Sequence, residues 1–312
     1  MKTSALTFVI ASLVALFVPN SGHSRHPDTS APGKSTFSLP APDPQLQEAL
    51  RRIVTRRPLH ELAASGRLSV ALVDLCRADS LRYAAVNGDA MLYAASLPKI
   101  AVLLAAFERI RNGEIPYSPG FKDELTRMIR FSNNAAASRV IQRVGFAFIA
   151  RTLRDSKYGL YDPARNGGLW VGKGYGGFQD RWKRDPLHHL SHGATARQVA
   201  RFFVMLDRGL LVDDWCSRQM KEILSRPGVC HKFVKGLLQR PGSVLYRKSG
   251  TWRNWHSDAA LVERGPVKYV AVALTNSPLG GRILPQLILR LDDAVSDAGS
   301  QVDSQQEKLP AS

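Results

Sequence analysis

The sequence has 312 residues, enough for one large domain or two small ones. Apolar residues make up 44% and charged residues 22%, which predicts a globular protein and excludes a chain that is disordered throughout. The formal net charge of +17 favours anionic partners. The basic residues are spread along the whole sequence without a recognisable nucleic-acid module, so we do not expect nucleic acid among the partners.

Residues 1–24 have the features of a secretory signal peptide. Lys2 supplies the positive start, and the apolar run from Ala5 to Val18 is too short to span a membrane comfortably. Small residues precede a cleavage site after Ser24, although an uncleaved N-terminal anchor fits the same pattern. No later stretch of the sequence is long and apolar enough for a transmembrane helix. We therefore expect a protein that is exported to the periplasm or the extracellular space, with no transmembrane domain after signal cleavage.

Export limits the anions that a basic protein can meet. Outside the cytoplasmic membrane these are the carboxylates and phosphates of the cell wall and the lipid headgroups, so anionic polymers of the envelope are candidate partners. A solvated basic surface without a specific partner explains the charge equally well.

Residues 25–44 are rich in Pro, Ser, Thr and Gly and are predicted to be a linker, followed by a folded domain over residues 45–298. The domain begins with a predicted helix over residues 45–64 that Pro58 interrupts. Two strands, a long apolar helix and three further helices are then predicted over residues 68–75, 81–86, 97–111, 122–130, 133–144 and 146–155.

Residues 158–191 show no sustained periodicity, although they contain Trp170, Tyr175 and Trp182. An irregular segment of this length is usually functional, for example as a lid or as the wall of a cleft. Two helices, three strands and a final helix are then predicted over residues 195–206, 214–224, 244–248, 257–262, 268–275 and 283–295. We expect the polar tail, residues 299–312, to be disordered.

This order of elements predicts an α/β fold of the α+β type. The strands near both ends of the domain can pair into one antiparallel sheet. The terminal helices would then cover one face of the sheet, and the central block of helices would cover the other.

A serine and a lysine open the longest apolar helix. Ser96 is predicted at the helix N-terminus, where free amide groups favour negative charge near its oxygen and therefore suit an oxyanion. Lys99 lies one turn further on the same face, so its amine could reach the Ser96 hydroxyl. A neutral amine could act as general base if burial and a neighbouring cation lower its pKa. Taken alone, such a pair is more often a capping serine followed by an exposed lysine.

Two further motifs offer complementary groups. Ser132 and Asn134 are predicted at the opening of another helix, where a hydroxyl can relay a proton to a leaving nitrogen and a carboxamide can hold a substrate amide. Residues 248–251, with the sequence Lys-Ser-Gly-Thr, end a predicted strand. The glycine would let a substrate approach the strand edge, and the lysine and hydroxyls could bind a carboxylate. The structural alternatives are a helix cap for Ser132 and Asn134 and a turn for residues 248–251.

Together, and in this order, the three motifs resemble those of the penicillin-recognising serine hydrolases, the family of class A β-lactamases and D,D-peptidases. The flanking residues 93–95, 128–131 and 195–197 resemble the class A branch. The resemblance covers roughly residues 45–298. It implies a β-lactamase/transpeptidase-like fold, in which a five-stranded antiparallel sheet flanked by helices meets an all-helical lobe and the site lies between them.

The resemblance also implies roles for single residues. Ser96 would attack the carbonyl carbon and form the acyl-enzyme, Lys99 would help to deprotonate it, and Ser132 would pass a proton on. The amides of Ser96 and Thr251 would form the oxyanion hole. No metal and no cofactor are implied. The residues that would bind the substrate are Asn134, Lys248, Ser249, Gly250 and Thr251.

The sequence departs from the class A pattern at three points. The segment between Ser96 and Ser132 is shorter than in typical class A enzymes, which predicts a trimmed helical lobe. Asn133 stands where class A enzymes usually carry Asp, which puts the bracing of that loop in doubt. Class A β-lactamases also carry a Glu on the loop after the second motif, whereas this chain has no Glu between Glu124 and Glu222. Asp162 is the only carboxylate early in the corresponding loop and is a candidate deacylation base, although a turn residue before Pro163 is its more ordinary role.

Three hypotheses for the function follow. The first is a serine hydrolase or acyltransferase that acts on the amide of a peptidoglycan-derived peptide or of a β-lactam. The second is a true class A-like β-lactamase whose deacylation base is not Glu. The third is a non-catalytic protein that binds the cell wall with the same fold, although a binding module would not require Ser96, Lys99, Ser132 and Lys248 together.

The cysteines and histidines support no metal site. Three cysteines leave at least one thiol unpaired, and Cys216 and Cys230 could form a disulfide, or all three thiols could be free and buried. His188, His189 and His192 lie close together, but no acidic or cysteine partner stands at a ligand spacing. We therefore interpret the histidines as part of a solvated loop.

Overall fold

A computed structural model describes residues 37–77, 80–176 and 181–306, with side chains through Asp297. The predicted signal peptide and most of the predicted linker lie outside these residues. Among the helices that are described, none has both the length and the apolar character needed to cross a membrane.

The described chain forms ten α-helices and ten β-strands. The helices are α1 (Pro44–Val54), α2 (Leu59–Ala64), α3 (Lys99–Arg111), α4 (Pro119–Arg130), α5 (Asn134–Val144), α6 (Phe146–Arg154), α7 (Ala196–Asp207), α8 (Asp214–Leu224), α9 (Phe233–Leu237) and α10 (Gly280–Gln306). The strands are β1 (Leu68–Asp74), β2 (Arg82–Val86), β3 (Leu92–Tyr93), β4 (Tyr161–Asp162), β5 (Gly167–Gly168), β6 (Trp170–Val171), β7 (His192–Ala194), β8 (Val244–Trp252), β9 (Trp255–Arg264) and β10 (Val267–Asn276).

Five strands form one antiparallel sheet in the order β2-β1-β10-β9-β8. The first and last strands of the chain therefore meet in the middle of the sheet, where Leu68 of β1 lies opposite Thr275 of β10. β8 is an edge strand, with Lys248 opposite Ala259 of β9. Short strands form a second sheet in the order β3-β7-β6 and a separate β4–β5 pair.

Helices cover both faces of the large sheet. One apolar cluster joins the sheet to α1, α2, α9 and α10, and the other joins it to the block from α3 to α8. Every residue of β1 is buried, because apolar side chains on both sides of the strand pack against helices. This arrangement confirms the predicted fold class, with the terminal helices on one face and the helical block on the other.

Local signals start several of these helices. The hydroxyl of Thr195 accepts the amide of Gln198 at 3.3 Å and caps α7, as the sequence predicts. Asp213 caps α8 by accepting the amide of Cys216 at 2.7 Å. Such caps satisfy amide groups that have no partner inside the helix.

Described residues at both boundaries of the predicted domain differ from the expectation based on composition. α10 continues to Gln306, so the tail that we expected to be disordered is helical over its first residues. Residues 299–306 contain no proline, and each residue added to an existing helix gains one hydrogen bond. Residues 37–43 of the predicted linker also pack on the body: Leu39 is buried, and Arg201 Nε donates to the carbonyl of Phe37 at 3.1 Å.

All three cysteines lie within the described residues and are free thiols. Cys216 is buried on α8, whereas Cys230 is exposed in the loop before α9, so the disulfide considered between them is not formed. The alternative of three buried thiols holds only for Cys216. Burial raises the pKa of the Cys216 thiol to about 12, which keeps it protonated and unreactive.

Candidate active site

Ser96 lies in the turn between β3 and α3, just before the helix rather than on it. Its carbonyl accepts the amide of Lys99 at 3.3 Å, which leads the chain into α3. The preceding residue, Ala95, has a φ of +51°, a left-handed conformation that residues other than glycine rarely adopt outside functional sites. Ser96 is half-buried, and its hydroxyl has no hydrogen-bond partner among the described residues, so it is available to react.

Lys99 is fully buried on the first turn of α3. Its Nζ donates to the carbonyl oxygen of Ser132 at 2.7 Å and to Oδ1 of Asn134 at 2.8 Å. Burial lowers the pKa of Lys99 from 10.5 to about 7, so much of the amine is neutral at neutral pH. A neutral amine can accept a proton, which an exposed lysine cannot do at this pH.

The loop between α4 and α5 presents the second motif to Lys99. Asn133 caps α5, because its side chain accepts the amide of Ala136 at 2.8 Å. The residue that departs from the class A pattern therefore still braces the loop. Since Asn133 takes the cap, the polar side chains of Ser132 and Asn134 are left to contact the buried lysine.

Lys248 approaches the same serine from the sheet. The third motif lies inside β8, which continues to Trp252, rather than at the end of the strand as predicted. Nζ of the buried Lys248 donates to Ser132 Oγ at 2.9 Å, and Lys99 Nζ lies 3.4 Å from the same oxygen. Burial, followed by the nearby charge of Lys99, lowers the pKa of Lys248 well below 10.5. A hydroxyl between two amines of lowered pKa can pass a proton between them.

Gly250 brings the edge strand against the nucleophile turn. A Cβ at this position would lie 2.2 Å from the carbonyl oxygen of Ala94 and 2.7 Å from the amide nitrogen of Ser96. Only glycine permits so close an approach. The backbone of Gly250 and Thr251 therefore lies beside the Ser96 amide, at an edge strand whose free polar groups can pair with an extended substrate.

Lys232 is a functional candidate that the sequence did not reveal. It is buried, and its Nζ donates to the carbonyl of Gly250 at 2.6 Å, to Thr251 Oγ1 at 2.7 Å and to the carbonyl of Ser257 at 3.1 Å. Burial lowers its pKa to about 8. No motif or spacing distinguishes it from the exposed Lys235 nearby.

A buried ion pair holds the loop that carries Lys232. Arg247 of β8 and Asp258 of β9 are 3% and 0% exposed, and two hydrogen bonds of 2.7 Å join them. Asp258 also accepts the amide of Phe233 at 3.0 Å, and Arg247 donates to the carbonyl of Val229 at 3.0 Å. The pair thus fastens the loop from Val229 to Phe233 onto the sheet.

The ring of Tyr175, in the irregular segment, covers the amine of Lys99. Its ring centroid lies 4.4 Å from Lys99 Nζ, and its hydroxyl donates to the carbonyl of Ala95 at 3.4 Å. Its amide donates to Ser138 Oγ on α5 at 2.9 Å, and its ring lies 4.3 Å from that of His192. The described part of the irregular segment around Tyr175 therefore forms a wall beside Lys99, in keeping with the prediction from its length and composition.

His192 does not fit the predicted solvated loop. It is 2% exposed on β7, whereas His188 and His189 are exposed. Its Nε2 lies 3.1 Å from the carbonyl of Lys173, and burial lowers the pKa of the imidazole to about 3. The neutral ring packs as an apolar side chain behind Tyr175, because strand pairing of β7 turns it inward.

Asp162 lies in a turn of the same segment. Its carboxylate accepts the amide of Ala164 at 2.9 Å and pairs with Arg165 at 3.7 Å. Its carboxylate contacts none of the described residues of the three motifs. Side-chain contacts thus bring Lys99, Ser132, Asn134 and Lys248 together, and the backbone of Ser96 lies beside Gly250. Asp162 takes the ordinary role of a turn residue.

A comparison with protein families identifies a match over more than half of the chain. The model described as "Beta-lactamase enzyme family" matches residues 118–298. The matched range contains the second and third motifs and begins after Ser96 and Lys99. A search of curated proteins found no match to the chain.

Solved structures share the fold at low sequence identity. A beta-lactamase from Sphaerobacter thermophilus DSM 20745 has a TM-score of 0.62 and 16% identity, covering 80% of this chain and 96% of that one. PBP-A has a TM-score of 0.62 and 19% identity, covering 84% and 100%. A PBP-A mutant, solved as an acyl-enzyme complex with penicillin G, has a TM-score of 0.62 and 19% identity, covering 83% and 100%.

Proposed function

Because the chain belongs to the beta-lactamase enzyme family, we propose that it is an exported serine hydrolase or acyltransferase that forms an acyl-enzyme on Ser96. Family and fold together imply serine hydrolase activity. The proposed substrate is an amide of a cell-wall peptide or of a β-lactam. The observation that carries the proposal is the position of Ser132 Oγ, 2.9 Å from Lys248 Nζ and 3.4 Å from Lys99 Nζ.

In the proposed acylation, the neutral amine of Lys99 takes the proton of the Ser96 hydroxyl as its oxygen attacks the carbonyl carbon. The amides of Ser96 and Thr251 bind the oxygen that becomes negative. Ser132 then gives its proton to the leaving nitrogen and is reprotonated from the amines beside it. The carbon–nitrogen bond breaks, and the acyl group remains on Ser96.

Lys232, whose pKa of about 8 leaves most of its amine charged at neutral pH, supports an anionic substrate. Three buried amines, those of Lys99, Lys232 and Lys248, surround the motifs, and no described carboxylate pairs with Lys99 or Lys248. Lys248, Ser249 and Thr251 would bind a substrate carboxylate, and Lys232 would support it through the Thr251 hydroxyl. Asn134 would hold a substrate amide.

We further propose that β-lactams acylate Ser96 and leave slowly, as from a penicillin-binding peptidase. Rapid release needs a general base beside the acyl carbon, which contributes about 10²–10⁴-fold. The described wall beside Lys99 is the ring of Tyr175, and Asp162 is engaged in its own turn. The competing proposal, a true β-lactamase, is favoured by the matching family and by the beta-lactamases of the same fold.

A labelled penicillin tests these proposals. We expect one covalent adduct on Ser96, detected by mass spectrometry of peptides, and no adduct in Ser96→Ala. The matched control is Ser156→Ala at an exposed serine, which should label normally. An intact, folded protein that acquires no adduct would instead support the non-catalytic, cell-wall-binding hypothesis.

The rate at which the label leaves separates the two enzymatic hypotheses. Slow release supports the peptidase-like proposal, whereas rapid multiple-turnover hydrolysis of a chromogenic cephalosporin would establish a β-lactamase. In that case Asp162→Asn should be compared with the native protein. Accumulation of the acyl-enzyme in the variant would identify Asp162 as the deacylation base.

A further inference from the structure

The irregular segment also lines a cavity that the proposed chemistry does not use. The cavity has a volume of about 630 Å³ and lies between α6 and residues 182–186. Trp170 lines it, and Tyr175, a few residues further along the chain, covers Lys99. Volumes of this size are typical of sites for small molecules or for parts of larger ones.

The floor of the cavity is apolar and aromatic. The rings of Trp170 and Trp182 stack with centroids 5.9 Å apart, and Trp182 stacks on Phe146 at 5.8 Å. The indole nitrogen of Trp170 donates to the carbonyl of Lys183 at 2.9 Å, so its polar group is already satisfied. Small side chains, among them Ala150, complete this floor. It therefore offers apolar surface and few free hydrogen-bonding groups to a ligand.

The rim of the cavity is strongly basic. Four cations and one acid, Asp155, line it. None of the four cations forms an ion pair with a carboxylate in the part of the chain that is described. Arg154 stacks 5.0 Å from the Trp170 ring centroid, which leaves the edge of the guanidinium free to donate. The four cations are Arg151, Arg154, Lys183 and Arg184.

Residues 183–187 contain one acidic residue, Asp185, whose carboxylate points into the protein. Asp185 is fully buried, and its carboxylate accepts the amides of Leu187 at 3.1 Å and Leu190 at 2.9 Å and the hydroxyl of Tyr161 at 3.0 Å. These bonds hold the loop in one shape. Pro186 and Leu187, the latter 42% exposed, are thereby directed outward between the basic residues. The face presented to solvent thus combines cations with apolar groups.

We propose that this face, formed by the cavity and residues 183–187, binds the surface of an anionic phospholipid bilayer. The basic residues would contact the phosphate-bearing headgroups, where each Lys or Arg adds to the attraction. Leu187 and the half-buried Trp182 would contact the boundary between headgroups and acyl chains, where tryptophan and apolar side chains are favoured. Trp170, which is 2% exposed, would support the Trp182 ring from within the protein. A polyanion without an apolar part would leave that floor unused. The proposal goes beyond the acyl-transfer site and does not depend on Ser96.

Co-sedimentation of the full chain with lipid vesicles tests this proposal. Vesicles of phosphatidylcholine alone are compared with vesicles that also contain phosphatidylglycerol. We expect Arg151→Glu/Lys183→Glu to weaken binding to the anionic vesicles by about tenfold or more. The matched control is Arg51→Glu/Arg282→Glu, which makes the same change in net charge at exposed positions distant in sequence from the proposed face. This control should weaken binding by about twofold or less.

The apolar contribution has its own test. Leu187→Ser should weaken binding to anionic vesicles several-fold, whereas binding to soluble heparin should not change. Circular dichroism and thermal unfolding establish that each variant is folded. Any apolar N-terminal segment is common to all variants and cannot produce a difference between them.

Three results would overturn the proposal. Equal losses in the two charge-reversed variants would show that net charge alone attracts the protein. Equal binding to neutral and anionic vesicles would exclude recognition of the headgroup. A loss of heparin binding in Arg151→Glu/Lys183→Glu without a loss of vesicle binding would assign the face to a soluble polyanion instead.

Discussion

The reactivity of Lys99 depends on the residues that cover it. Hydrogen bonds to Ser132 and Asn134 fix its amine, and the ring of Tyr175 lies 4.4 Å away. The ring stabilises the charged amine, whereas burial destabilises it. The effect of burial is the larger, so the pKa of Lys99 falls to about 7. The proton affinity of the candidate base is therefore set largely by exclusion of water.

Tyr175→Ala should raise the pH at which acylation reaches half its maximal rate. Water would reach Lys99 Nζ, so its pKa would move from about 7 toward 10.5 and the neutral amine would form only at higher pH. We expect a shift of about one pH unit or more, measured as the rate of labelling by penicillin against pH. Tyr175→Phe keeps the ring and should preserve the native midpoint. An unshifted midpoint in the alanine variant would show that Tyr175 does not shield Lys99.

Lys232→Met should weaken the binding of carboxylate-bearing β-lactams before acylation. The variant keeps most of the buried stem but loses the charge beside Thr251, so we expect about a tenfold higher half-saturating concentration. The dependence of the acylation rate on penicillin concentration gives this value. Lys235→Met, at an exposed position, is the matched control and should behave as the native protein. Equal values in both variants would remove Lys232 from the binding site.

At the scale of elements, the site depends on how closely β8 approaches the turn before α3. Gly250 packs on the backbone of Ala94 and Ser96, and the ion pair between Arg247 and Asp258 fastens β8, β9 and the following loop together. Removing one partner of such a buried pair costs about 3–5 kcal/mol. The geometry around Ser96 is therefore a property of packed elements rather than of the turn alone.

Gly250→Ala should damage both stability and acylation. The added Cβ would lie 2.2 Å from a backbone oxygen, which cannot move as a flexible side chain can, so β8 must shift away from Ser96. We expect a loss of about 1–3 kcal/mol in the free energy of unfolding by urea and slower labelling by penicillin. Gly120→Ala, where a Cβ would meet nothing within 4 Å, should be neutral or slightly stabilising. Native labelling by the Gly250 variant would contradict the proposed oxyanion site.

At the scale of the whole molecule, the buried His192 and the half-buried His231 couple folding to pH. Burial lowers the pKa of His192 to about 3 and of His231 to about 4, below the value of 6.5 expected in the unfolded chain. Between these values the unfolded state binds more protons than the folded state. Stability should therefore be full above pH 6.5 and fall as the pH decreases toward 4.

His192→Gln should reduce this loss of stability. We expect the native protein to lose about 3 kcal/mol more than the variant when the pH falls from 6.5 to 4. Urea unfolding at the two pH values measures the difference. The exposed His60→Gln is the control and should follow the native protein. Parallel stability profiles for all three proteins would show that His192 does not contribute.

Local patterns in the sequence determined most of the helices and strands and suggested roles for Ser96 and Lys99. The alternation over residues 68–75 predicted β1, Thr195 predicted the start of α7, and the order of strands and helices predicted the sandwich. The spacing of Ser96 and Lys99 likewise indicated a nucleophile and a base one turn apart. The inferences about the fold succeeded because caps and strand periods depend on residues close together in sequence, whereas the roles of Ser96 and Lys99 stay predictions.

Only the tertiary structure decided which side chains meet and which lose water. Lys99 meets Tyr175, Ser132 meets Lys248, and Lys232 meets Thr251 across long stretches of chain, and no local pattern encodes these contacts. The five-residue helix α9 is too short to show a helical period, so it also escaped prediction. The same packing lowers the pKa of Lys99, because burial is a property of the assembled layers and not of the neighbouring sequence.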